Sequence, residues 1–129
     1  EIFGYYSGNS FANQLGISMQ VPRKIEIVSN NSNSSPREIE IGGRKFLIRK
    51  SSIVINRENV YVLQLLELLK NIEVYMDGSY DEARVKIEEY IDIHDIRKES
   101  VNRYIREFPI NVFKNYYELG LDNVFAQRK

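Results

Sequence analysis

Gly78-Ser79 and, further along, Asp92-Ile93-His94-Asp95 are the residues of this chain whose types come nearest to a reaction centre. Nucleotidyltransferases place a Gly-Ser at a helix start and two downstream carboxylates around magnesium. The spacing here opposes that chemistry. Two metal-binding carboxylates on a strand share a face at i and i+2, whereas Asp92 and Asp95 stand at i and i+3. Ser79 instead heads Ser79-Tyr80-Asp81-Glu82, the pattern of a helix capping box. His94 is the one histidine, and the chain has no cysteine, so thiolate zinc sites and disulfides are excluded. Glu88-Glu89 reads as a solvated helix face. Glycine-rich phosphate loops and nucleophile elbows are absent. The expectation is a protein without catalytic residues, metal or cofactor.

Binding chemistry is the better prospect, and it rests on how charge is distributed. Net charge is zero, but Val21 to Arg57 carries eight basic and three acidic residues, while Glu58 to Lys129 carries ten basic and fourteen acidic. Such asymmetry marks a nucleic-acid face or holds two halves of one domain together. The candidate contacts for nucleic acid or a partner are Arg23, Lys24, Arg44, Lys45, Arg49 and Lys50. If Gly42-Gly43 forms a type I′ turn, Ile39, Ile41, Phe46 and Ile48 share one face of a hairpin. On the other face Glu40 opposes Lys45, and Glu38 lies diagonal to Arg49, so part of the basic charge is neutralised across the strands. Arg23, Lys24, Arg44 and Lys50 have no obvious local partner and are free for phosphate. No aromatic interleaving supports stacking of single-stranded bases.

The elements that would position these residues are legible by period. Ser7, Asn9 or Ser10 can start a short helix carrying Phe11, Ala12 and Leu15, and Gly16 suits an αL cap. Pro22 then biases Val21 to an extended form, and Ile25 and Ile27 alternate with Lys24 and Glu26 as in a strand. Asn30 to Pro36 is polar throughout and reads as an exposed, mobile loop. Asn56 is a candidate cap for a helix so rich in apolar residues from Val60 to Ile72 that it should be covered on several sides. Further helices follow Ser79, carry Val101, Tyr104, Ile105 and Phe108 up to Pro109, and carry Phe113, Tyr116, Tyr117 and Leu119 up to Gly120. Their aromatics have the spacing of core residues.

The block from Gly4 to Asn30 resembles the AbiEi-like antitoxins of type IV toxin-antitoxin systems, in the domain that follows their DNA-binding winged helix. The matching residues are Gly4, Tyr5, Ser7, Gly8, Asn13, Leu15, Gly16, Gln20, Val21, Pro22, Ile25, Glu26 and Ile27. A looser likeness runs through Gly42-Gly43, Asn59 to Leu69, and Pro109 to Phe125. The resemblance implies an antitoxin that represses its own operon and opposes a nucleotidyltransferase toxin without a stable complex. It also implies operator binding mainly through a winged helix, which does not precede Gly4. The chain opens at Glu1 and reads as a fragment of a longer regulator, its C-terminal effector domain.

At 129 residues and 43% hydrophobic, one domain spanning 1–129 accounts for the chain. The fold expected is α+β: a short N-terminal helix, a small antiparallel β-sheet centred on Lys24 to Ile55, and about four α-helices packed on one face. No apolar run approaches the roughly 20 residues of a membrane span, and a cytoplasmic protein is expected. Two other functions stay open. One is a nucleic-acid-binding module using the basic β-rich half. The other is a protein-interaction domain whose acidic helical half docks on a basic partner.

Overall fold

Helix starts and stops follow the side chains that the sequence supplies for them. In the computed structural model, which describes residues 3–31 and 36–128, the chain runs β1 (Gly4–Tyr6), α1 (Gly8–Leu15), β2 (Lys24–Ser29), β3 (Arg37–Ile41), β4 (Arg44–Lys50), α2 (Val60–Leu69), α3 (Ile72–Tyr75), α4 (Tyr80–His94), α5 (Lys98–Tyr104), a 3-10 turn (Ile105–Glu107), α6 (Ile110–Glu118) and α7 (Leu121–Ala126). Ser79 Oγ accepts the Glu82 N–H at 3.1 Å, and Glu82 Oε1 accepts the Ser79 N–H at 3.2 Å, so the capping box forms as read. Asn56 Oδ1 accepts the N–H groups of Glu58 and Asn59, both at 2.9 Å, and shapes the turn that feeds α2. Gly120, at φ 74°, separates α6 from α7. The four longer helical segments expected correspond to α2, α4, α5 and α6, and the short α3 and α7 add to them.

The sheet has the order β1-β2-β4-β3. Two pairings, β1 with β2 and β3 with β4, are antiparallel, but β2 and β4 run parallel. The α+β class therefore holds, while the sheet is mixed and not antiparallel throughout. The hairpin is the cause. Its first strand, β3, lies at the far edge, and Gly42-Gly43 folds β4 back between β3 and β2 in the direction of β2. Both glycines have positive φ, 58° and 81°, as a two-residue type I′ turn requires. The hairpin register is the one expected, with Ile41 opposite Arg44 and Ile39 opposite Phe46. The loop expected from Asn30 to Pro36 falls largely on residues 32–35, which lie outside the described residues.

The core centres on α2, whose Val62, Leu63, Leu65, Leu66, Leu68 and Leu69 are all buried. One large apolar cluster joins α1, α2 and the later helices; a smaller one, of Tyr5, Val28, Ile55, Val60 and Leu63, fastens the sheet to α2. Among the described residues no helix is long and apolar enough to cross a membrane.

Candidate interaction surface

Most residues of the Gly4 to Asn30 block have a local task in joining β1, α1 and β2. Gly4 lies so close to β2 that a Cβ there would sit 2.5 Å from the Val28 carbonyl oxygen. Tyr5 is buried against Val28, and the burial pushes its phenol well above the ordinary value. Gly8 has φ 56°, and a Cβ would meet the Glu26 carboxylate at 2.5 Å. That carboxylate caps α1: Glu26 Oε2 accepts the Asn9 N–H at 3.2 Å, and Ser10 Oγ accepts the Glu26 N–H at 2.9 Å. The helix start was expected to be capped by Ser7, Asn9 or Ser10. None of those side chains accepts a helix N–H there, and the cap comes from β2 instead. Gly16, at φ 81°, closes α1 as read.

The remaining part of the block is a tight, exposed loop. Asn13 Nδ2 donates to the carbonyls of Ser18 and Gln20 at 3.1 and 3.0 Å, and the Met19 N–H reaches Asp77 Oδ2 at 2.5 Å. Held in this way, the loop turns Met19 and Val21 outward at 79% and 80% exposure, with Gln20 and Arg23 also exposed. Like Val54, Val74, Ile93 and Ile110 elsewhere in the chain, Met19 and Val21 are exposed apolar side chains, here on a loop held at both ends. Periodicity does not reveal them, because Val21 looks like the start of the following strand.

Register assigns every strand side chain to a face. Tyr5, Glu26, Val28, Leu47 and Arg49 lie on the side of α2, because Val28 packs on Leu63, and Arg49 Nη2 meets Glu67 Oε2 at 2.8 Å. Ile25, Ile27, Ile39, Ile41, Phe46 and Ile48 therefore lie on the opposite side, together with Tyr6. None of these seven belongs to either buried cluster. The strands turn their glutamates toward the helices and their isoleucines away from them.

The six basic candidates divide between the two faces and do not form one stripe. Lys24, Lys45 and Arg49 are on the helix side, and Arg44 and Lys50 are on the outer side. Lys24, expected to be without a partner, bonds Glu38 Oε2 at 2.6 Å, which holds the Glu38 carboxyl below its usual range. Arg49 passes over Glu38 and takes Glu67, which also receives Lys70 Nζ at 3.2 Å. Arg23, Arg44 and Lys50 make no ion pair among the described residues, nor does Arg37, which joins Arg44 and Lys50 on the outer face.

Ser79 and the acidic pair are not brought together. They occupy opposite ends of α4, roughly 20 Å apart at 1.5 Å per residue. Asp92 is ion-paired with Arg128 and Asp95 with Arg97. His94 stacks on Tyr61 with ring centroids 3.8 Å apart and lies 4.5 Å from Tyr90. At the β1 edge, a groove of about 510 Å3 lined by Phe3, Tyr6, Ile27, Tyr61 and Gln64 continues the outer sheet face around toward α2. Gln64 forms its floor, donating to the Tyr6 carbonyl at 2.9 Å and accepting from the Tyr90 hydroxyl.

No family model, curated protein or solved structure matches the chain.

Proposed function

We propose that this domain is the effector part of a type IV antitoxin, which opposes a nucleotidyltransferase toxin and contributes to repression of its own operon by binding and not by catalysis. The observation that carries the proposal is the division within the block that resembles the AbiEi-like family. Gly4, Tyr5, Gly8, Asn13, Gly16 and Glu26 build a rigid β1–α1–β2 unit, and Gln20, Val21 and Arg23 are what that unit presents to solvent. A loop held on both sides loses little entropy on binding, which suits it to contact. Lys24 is tied to Glu38, and Arg23 is the cation of the block's end that makes no ion pair among the described residues.

Co-expression with a cognate nucleotidyltransferase toxin tests the proposal. Cells carrying the domain should outgrow cells carrying the toxin alone. No gain in survival, where a longer version containing a winged helix does rescue, would overturn the assignment of antitoxicity to this domain. A duplex-binding role for the sheet is less well supported, because phosphate tracking calls for one continuous basic surface and these cations lie on two.

A further inference from the structure

The outer face of the sheet is an apolar surface with a cationic border. Ile25, Ile27, Ile39, Ile41, Phe46 and Ile48 fill it across β2, β4 and β3. Ile41 is 62% exposed, and the other five are partly exposed. Arg37 opposite Ile48, Arg44 opposite Ile41, and Lys50 opposite Ser29 stand at its margins. No carboxylate of these three strands shares the face: Glu26, Glu38 and Glu40, their acidic residues, all fall on the helix side.

We propose that this face docks an amphipathic helix of a partner protein whose apolar ridge is flanked by aspartate and glutamate. A helix is the ordinary cover for an apolar sheet face. Size agrees, since three strands at ~4.8 Å spacing span roughly 10 Å, the diameter of a helix. Strands of five to seven residues give a length of roughly 20 Å, enough for a helix of about 13 residues. Charge selects the partner. A second copy of this face would bring Arg37, Arg44 and Lys50 against their own kind, whereas acidic flanks satisfy all three. Nucleic acid would be matched by the cations but would leave the isoleucines uncovered. This inference does not depend on the antitoxin reading, and it differs from the alternative in which the acidic helical half docks on a basic partner.

The test is methyl NMR on the full chain with labelled isoleucine. Two synthetic helical peptides of about 14 residues are titrated in, each with leucine at i, i+3, i+4 and i+7, one with glutamate elsewhere and one with lysine. The Leu/Glu peptide should shift the methyls of Ile25, Ile27, Ile39, Ile41 and Ile48, and the Leu/Lys peptide should not. The triple variant R37E/R44E/K50E changes only exposed or partly exposed side chains; it should weaken the Leu/Glu peptide at least about tenfold and admit the Leu/Lys one. Ile41→Glu, at the exposed hairpin end, is a second variant that should also weaken it. Equal response to both peptides, no response to either at about 1 mM, or displacement by a single-stranded oligonucleotide would overturn the proposal. So would methyl shifts that follow dilution alone, because the face would then join copies of this chain.

Discussion

Glu67 is where the two halves of the molecule are joined by charge. Its carboxylate, with its side chain only 10% exposed, receives both Arg49 at 2.8 Å and Lys70 at 3.2 Å. Burial works against the Arg49 cation, but the Glu67 hydrogen bond and charge outweigh it and raise its pKa. Arg49→Ala should cost about 1–3 kcal/mol, several degrees of Tm in a chain of this size, and the pair R49M/E67L should recover most of it. A Tm within a degree of wild type for R49A would contradict this. Gly8→Ala forces a side chain into a left-handed position against the Glu26 carboxylate and should cost about 2 kcal/mol. With Glu26→Ala the same change should cost clearly less, so additive losses in the double variant would refute the contact. His94, packed against Tyr61, has its pKa lowered by burial from 6.5. The unfolded chain then holds the proton more tightly, so the contribution of His94 to stability is full above about pH 6.5 and is lost as pH falls through the folded value. Replacement by Phe should flatten the Tm profile between pH 7.5 and 5; an unchanged slope would show that His94 does not set it. Caps within one turn, such as Ser79 with Glu82, were legible in the sequence because both partners are near neighbours. The cap from Glu26 was not, because it spans seventeen positions of chain.

The sheet shows what periodicity determines and what it leaves open. Alternation correctly grouped Ile39, Ile41, Phe46 and Ile48, and the glycine pair set their register. Which face receives the helices depends on where β1 and α2 settle, and no local pattern encodes that. The same limit explains the parallel β2–β4 pair, since two strands joined through the far edge of a sheet look like a hairpin neighbour in sequence. A stability ranking follows. Val28→Ala, facing α2 and 2% exposed, should cost about 2 kcal/mol. Ile27→Thr, one residue earlier on the outer face, should cost under about 1 kcal/mol. Urea denaturation of the two variants separates them, and the reverse order would mean that the outer face is the packed one. For the loop, Asn13→Ala removes the bonds to Ser18 and Gln20 and should lower stability by about 1 kcal/mol while loosening residues 18–20 in hydrogen exchange.

At the scale of the whole molecule, the basic strand half and the acidic helical half were readable from composition, but their relation was not. Among the described residues a single ion pair, Arg49 with Glu67, crosses between them. The asymmetry therefore does little to hold the halves together, and Arg23, Arg37, Arg44, Lys45, Lys50 and Arg57 make no ion pair among the described residues and remain as surface charge, Lys45 despite lying opposite Glu40. Arg37, Arg44 and Lys50 border the apolar outer face, and Arg23 lies on the exposed loop carrying Val21. The antitoxin proposal stands on the loop between α1 and β2, where Val21 and Arg23 are exposed. The most direct measurement is growth under induction of a cognate nucleotidyltransferase toxin, with the wild-type domain or its V21S/R23E variant, whose Tm should match because both side chains are exposed. Protection by the wild-type domain, lost in the variant at equal expression, is the predicted result. Absence of protection by the domain, or undiminished protection by the variant, would contradict it.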